Sequence, residues 1–127
     1  MTLEAVRTKA APPPGGHFSQ AIKAHGFVFC AGYLGRDPLS GEIETDDPGE
    51  QTQLVIEHLK TVLEAAGSSL DRVVKTTMFV TNMSNFEVHD AVYRQYFTTE
   101  TPPARSTVQV AALRRGGLVE IEAIALA

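Results

Sequence analysis

The 127-residue chain predicts a single α+β domain in which two amphipathic helices pack on one face of a mixed β-sheet. Three observations carry this expectation. Two segments repeat apolar residues at helical spacing, short β-favouring runs lie between turn signals, and the last run is apolar on both of its faces. With 43% hydrophobic and 20% charged residues, the composition is that of an ordinary globular chain of one domain, residues 1–127.

Met1 to Pro14 lacks the basic start and apolar core of a secretory signal, and no stretch approaches about 18 apolar residues, so a cytoplasmic protein without a membrane segment is expected. Ala10 to Gly16 is too rich in Pro and Gly for regular structure and reads as a stiff loop after a short first strand. Phe18 to Ala24 and Gly26 to Tyr33 read as two strands meeting at a His25-Gly26 turn. Another turn follows at Asp37 to Gly41.

The first helix is signed at both ends. Asp47 suits the N-cap, Pro48 the first helical position and Glu50 a capping box, while Gly67 stops it. Val55, Leu59, Val62, Leu63 and Ala66 form the apolar stripe, leaving Glu57, Lys60 and Glu64 for solvent. Val73 to Val80 is a β-branched strand. Ser84 and Glu87 repeat the capping-box pattern before a second helix, whose inner stripe is Phe86, His89, Tyr93, Tyr96 and Phe97. After the Thr98 to Pro103 loop, strands Ala104 to Leu113 and Leu118 to Ala127 are expected to form a hairpin about Arg114-Arg115-Gly116-Gly117.

In the final strand Val119, Ile121, Ala123 and Ala125 share one face, and Leu118, Glu120, Glu122, Ile124 and Leu126 the other. Two helices cover only one sheet face. The second face is most economically buried against another copy of the chain.

A formal charge of −4 argues against a general attraction to nucleic acid, and one cysteine, Cys30, excludes an internal disulfide. Cys30 lies in an apolar strand without an activating neighbour, as a buried inert thiol would. His17, His25, His58 and His89 show no metal-ligand spacing. No phosphate-binding glycine motif of the Walker or dinucleotide type is present, and the histidine spacing with a single cysteine gives no metal site. Arg105 and Glu120 remain. On strand alternation Arg105 sits with Thr107 and Gln109, suited either to bidentate binding of a carboxylate or to a salt bridge. Glu120 suits a general base if partial burial and Glu122 raise its pKa, or an exposed charge that protects a sheet edge.

The runs Pro103-Ala104-Arg105-Ser106-Thr107-Val108 and Val119-Glu120-Ile121-Glu122-Ala123-Ile124-Ala125 resemble the signature of the RidA (YjgF) family. The resemblance extends through Phe18-Ser19-Gln20-Ala21-Ile22, Asp37-Pro38, Gly41-Glu42-Ile43, Gln51-Thr52, Glu64 to Gly67 and Val74 to Val80, nearly the whole chain. It implies a chorismate-mutase-like fold and a homotrimer whose sheets form an inner barrel, with ligand clefts between subunits. The implied reaction is cofactor-free hydrolysis of enamine and imine intermediates such as 2-aminoacrylate to 2-keto acids and ammonia. Arg105 then binds the substrate carboxylate and Glu120 positions water, with Phe18, Ala31, Gly32, Asp90, Ser106 and Thr107 around the ligand. Several residues depart from the family pattern. Phe18 replaces a tyrosine, Ala31-Gly32-Tyr33 a Ser-Gly-Gln, Asp90 an asparagine, Thr107 a cysteine and Arg114 a proline. Alternatives are a deaminase dedicated to aminoacrylate or aminomuconate, or a non-catalytic trimer that senses small acids. The ribonuclease activity attached to the family ranks last for an acidic chain.

Overall fold

Helix α1 (Pro48–Ala65) begins where its signals lie, with the Asp47 carboxylate accepting from the Glu50 amide at 2.8 Å. The capping box is only half formed, because the Glu50 carboxylate accepts from the Thr45 hydroxyl at 2.6 Å instead. Gly67, at φ +83°, ends the helical region in a conformation that strains other residues. The computed structural model describes residues 2–127.

Around α1 lie strands β1 (Glu4–Val6), β2 (Ala21–Ala24), β3 (Phe27–Leu34), β4 (Val73–Val80), β5 (Ala104–Gln109) and β6 (Val119–Leu126), with helix α2 (Phe86–Tyr96) between β4 and β5. They form one sheet in the order β1-β2-β3-β6-β4-β5, antiparallel except for the β4–β5 pair. The expected mixed sheet with two helices is present. His25 and Gly26, both at positive φ, make the β2–β3 turn, although β2 begins at Ala21 rather than Phe18. None of the described helices is long and apolar enough to cross a membrane.

Two local expectations are corrected. Ser84 is not a helix cap: Asn82 takes that role for a short 3-10 turn, accepting from the Ser84 amide, and α2 starts at Phe86. The larger correction is topological. β5 and β6 do not form a hairpin, since β5 ends at Gln109 and pairs only with β4, in parallel, while residues 110–118 carry the chain back over β4. Gly116 takes positive φ, as does Arg115, but Gly117 lies at φ −63°. A Cβ there would meet Leu34 Cδ2 at 2.8 Å, so this second glycine serves packing.

Central β6 is held on both sides, and its inward set Val119, Ile121, Ala123 and Ala125 is buried with Val55, Ile56, Leu59, Val62 and Leu63 of α1. Burying an aliphatic side chain contributes about 1.5 to 3 kcal/mol. Buried Gln51 ties α1 to the start of β6, accepting from the Leu118 amide at 2.8 Å. The other sheet face carries Phe27, Phe29, Val108 and Leu126 exposed, with Ile124 and Phe79 half-buried.

Candidate functional site

Arg105 faces the helices. Its register partner on β4 is Thr76, whose hydroxyl bonds the Tyr93 hydroxyl at 2.7 Å, so the guanidinium lies against α2. Arg105 Nη1 donates to Asp90 Oδ1 at 2.8 Å, while Asp90 Oδ2 accepts from Arg94 Nε at 2.8 Å. The guanidinium also lies 4.7 Å from the Tyr93 ring centroid and 5.4 Å from that of Phe86. Strand alternation suggested polar company for Arg105, whereas two aromatic rings flank it as well. Its Nε and Nη2 have no hydrogen-bond partner among the described residues. Asp90 is held below the usual carboxylate range, first by the bond from Arg94 and then by Arg105, against the opposing effect of burial.

Glu120 faces the other way. It pairs with Leu34 on β3 and Phe79 on β4, and its carboxylate has no hydrogen-bond or ion-pair partner among the described residues. Burial raises its pKa, Glu122 raises it further, and Arg114 opposes both. This is the direction that base catalysis near neutrality requires. A Cβ on Gly32 would stand 2.5 Å from Glu120 Oε2, so only glycine leaves the carboxylate its place. Phe18, Gly32, Glu120, Arg36 and Arg114 line one cleft, walled by the loop from Pro12 to Gly15. That loop is shaped by buried Gln20, whose amide donates to Thr8 O at 3.1 Å and Pro12 O at 3.0 Å.

The expected site residues therefore fall into separate groups within one chain. Phe18 and Gly32 stand with Glu120; Asp90 stands with Arg105 in a second hollow, also lined by Pro102 and Pro103. Thr107 pairs with Met78 and follows Arg105 on the helix-facing side of β5. Ser106 points to the open face, where its hydroxyl accepts from Lys75 Nζ at 3.1 Å. Ala31 sits in the β3 bulge, its amide donating to Gln20 O at 3.0 Å. Without the expected hairpin Arg105 and Glu120 are not on neighbouring strands, because β6 inserts beside β3 and leaves β5 on the far side of β4.

Arg36, Tyr93 and Arg94 were not singled out as site residues from sequence. The Asp90 to Arg94 spacing of i, i+4 was a readable signal for one of them, whereas Arg36 reaches its cleft only through the fold. No group of three metal-ligating side chains occurs among the described residues. Burial pushes the Cys30 thiol up to about 12, which makes it unreactive near neutrality.

Chemically, the chain offers a half-free guanidinium and an unpaired carboxylate of raised pKa. Comparison with known proteins adds the following. Residues 8–127 match the family model described as Endoribonuclease L-PSP. A RutC family protein of Pyrococcus horikoshii is 47% identical over 122 residues, 96% of each chain. A Bos taurus protein named 2-iminobutanoate/2-iminopropanoate deaminase is 38% identical over 121 residues, 95% of this chain and 88% of its own. A solved structure of a Rid family protein from Yersinia pestis superposes with a TM-score of 0.96 at 40% identity, covering 99% of this chain and all of that one.

Proposed function

The chain belongs to the Rid family, whose matching model is described as Endoribonuclease L-PSP, and on that premise we propose that it hydrolyses 2-imino acids and their enamine tautomers to 2-keto acids and ammonia. A relative named as a 2-iminobutanoate/2-iminopropanoate deaminase supports this substrate class. The observation that carries the reading is Glu120, a half-buried carboxylate with raised pKa and no internal partner, kept clear by Gly32.

An imine carbon is already electrophilic, so the reaction calls for a held substrate and an oriented water rather than a cofactor. In the proposed mechanism the free edge of Arg105 binds the substrate carboxylate. Glu120 takes a proton from water as the water oxygen adds to the C=N carbon and passes it to the nitrogen, giving a carbinolamine. It then takes the carbinolamine hydroxyl proton and delivers it to the amine as the C–N bond breaks and the C=O bond forms. Water and imine are consumed; keto acid and ammonia leave.

Arg105 and Glu120 lie too far apart to serve one small acid within a chain. The proposal therefore includes a homotrimer in which the open sheet faces form an inner barrel and Arg105 of one subunit meets Glu120 of its neighbour. The apolar residues Phe27, Phe29, Val108 and Leu126 on that face support burial against other copies. Ala31, Ser106 and Thr107 would border such clefts.

The direct test supplies freshly generated 2-aminoacrylate or 2-iminobutanoate and follows keto acid. Release faster than the buffer rate is expected, and no acceleration with any of several imines would sink the reading. RNA cleavage by purified protein that disappears in Arg105→Ala would instead select the activity in the family description.

A further inference from the structure

Arg36, Arg114 and Arg115 converge on the cleft that holds Glu120. Two of them are held by backbone carbonyls rather than carboxylates. Arg36 donates through Nε to Gly41 O at 2.7 Å and through Nη1 to Pro13 O at 3.2 Å, and Arg114 Nη2 donates to Gly15 O at 2.9 Å. A carbonyl orients a guanidinium without cancelling its charge. Only Arg115 has an ion pair, with Glu42 at 3.3 Å, and that glutamate is 65% exposed.

The loop is shaped for this arrangement. A Cβ on Gly15 would lie 3.2 Å from both terminal nitrogens of Arg114, so glycine lets the guanidinium rest against the backbone. Gathering three cations has a cost: burial, then the charges of Arg115 and Arg114, draw Arg36 below its usual range, with Glu42 alone opposing. An anion in the cleft would relieve that repulsion. Arg114 also acts on Glu120 directly, pulling its carboxyl back down, so cation and proposed base belong to one site.

We propose that this cleft selects 2-imino dicarboxylates, the class formed by oxidising the α-carbon of an acidic amino acid, with Arg114 and Arg36 binding the distal carboxylate. This rests on the hydrolytic reading above and narrows it. The α-carboxylate goes to Arg105, water adds at the C=N carbon beside Glu120, and ammonia leaves, giving a 2-keto dicarboxylate. The distal carboxylate takes no part in bond making. It is a handle, and the arginines that hold it are positioning residues.

The test compares imines generated from L-glutamate and from 2-aminobutanoate by amino-acid oxidases. The wild-type protein is expected to favour 2-iminoglutarate over 2-iminobutanoate by about tenfold in kcat/KM, the scale that one charge-assisted contact supplies. Arg114→Gln should collapse that ratio toward one, and Arg114→Lys should restore part of it. A wild-type preference for 2-iminobutanoate, or a ratio unmoved by Arg114→Gln, overturns the proposal. If no imine is turned over, the hydrolytic reading fails separately, and calorimetry with product keto acids tests selection. Tighter binding of 2-oxoglutarate than of 2-oxobutanoate, reduced in Arg114→Gln, then supports it. Equal affinities, or inorganic phosphate bound as tightly, refute it.

Discussion

Arg105 and Glu120 stand on opposite faces of one sheet, with β4 between their strands. Thr76 is in register with Arg105, and Phe79 with Glu120, so the two positions are 79 − 76 = 3 residues apart along β4. That is roughly 10 Å along the strands and roughly 10 Å across them. A three- or four-carbon acid cannot bridge such a gap. If both residues act on one substrate, they come from different chains.

Subunit mixing tests this. Arg105→Ala and Glu120→Gln should each lose most activity, the arginine clamp alone being worth about 2 to 5 kcal/mol. Unfolding and refolding the two variants together should restore activity, with about a quarter of interfaces carrying both native residues under random assembly. No recovery in the co-refolded protein would place the two roles in one chain or remove one of them.

The pH profile follows from the raised Glu120 carboxyl, which must be ionised to accept a proton. Activity should therefore fall as pH drops through a pKa above the ordinary glutamate value of 4.5. Glu122→Gln removes a neighbouring negative charge and should move this acid limb to lower pH. Arg114→Gln removes a stabilising cation and should move it higher. Profiles of kcat/KM for the three proteins check both signs.

Gly32→Ala tests the space beside Glu120. The new methyl would stand 2.5 Å from the present Oε2 position, so the carboxylate must turn aside. The backbone at Gly32 is not in the left-handed region, so the change falls on placement rather than on backbone strain. Kinetics should show a loss of ten- to about a hundred-fold, the scale of an ångström-sized misplacement, with little change in melting temperature.

Asp90→Asn probes the proposed anion-binding edge of Arg105. The carboxylate now offsets part of the guanidinium charge, with Arg94 sharing it. An amide keeps an acceptor for Arg105 but removes the negative charge, so KM for an anionic imine should fall by roughly the several-fold that one nearby charge contributes. A rise in KM would mean that Asp90 orients Arg105 more than it competes with substrate.

Much of the fold is legible locally. Asp47, Pro48 and Gly67 mark α1 because caps and stops act within a single turn, and the alternation along β6 correctly separates buried Val119, Ile121, Ala123 and Ala125 from Glu120 and Glu122. The Gly116-Gly117 pair misleads for a definite reason. It has the composition of a hairpin turn, but one glycine serves backbone conformation and the other serves contact with Leu34, which lies far away in sequence.

From sequence alone come the element types, the two-faced last strand, the inert Cys30 and the motif residues Arg105 and Glu120. Tertiary structure decides what stands beside what: β6 between β3 and β4, Arg105 over Tyr93 and bound by Asp90, Glu120 against Gly32, and Arg36 with Arg114 in one cleft. Periodicity is a property of consecutive residues, so it survives in one dimension. Strand order depends on which surfaces bury the most apolar area over long separations, and that choice puts β4 between Arg105 and Glu120, while the register of each pairing turns them to opposite faces.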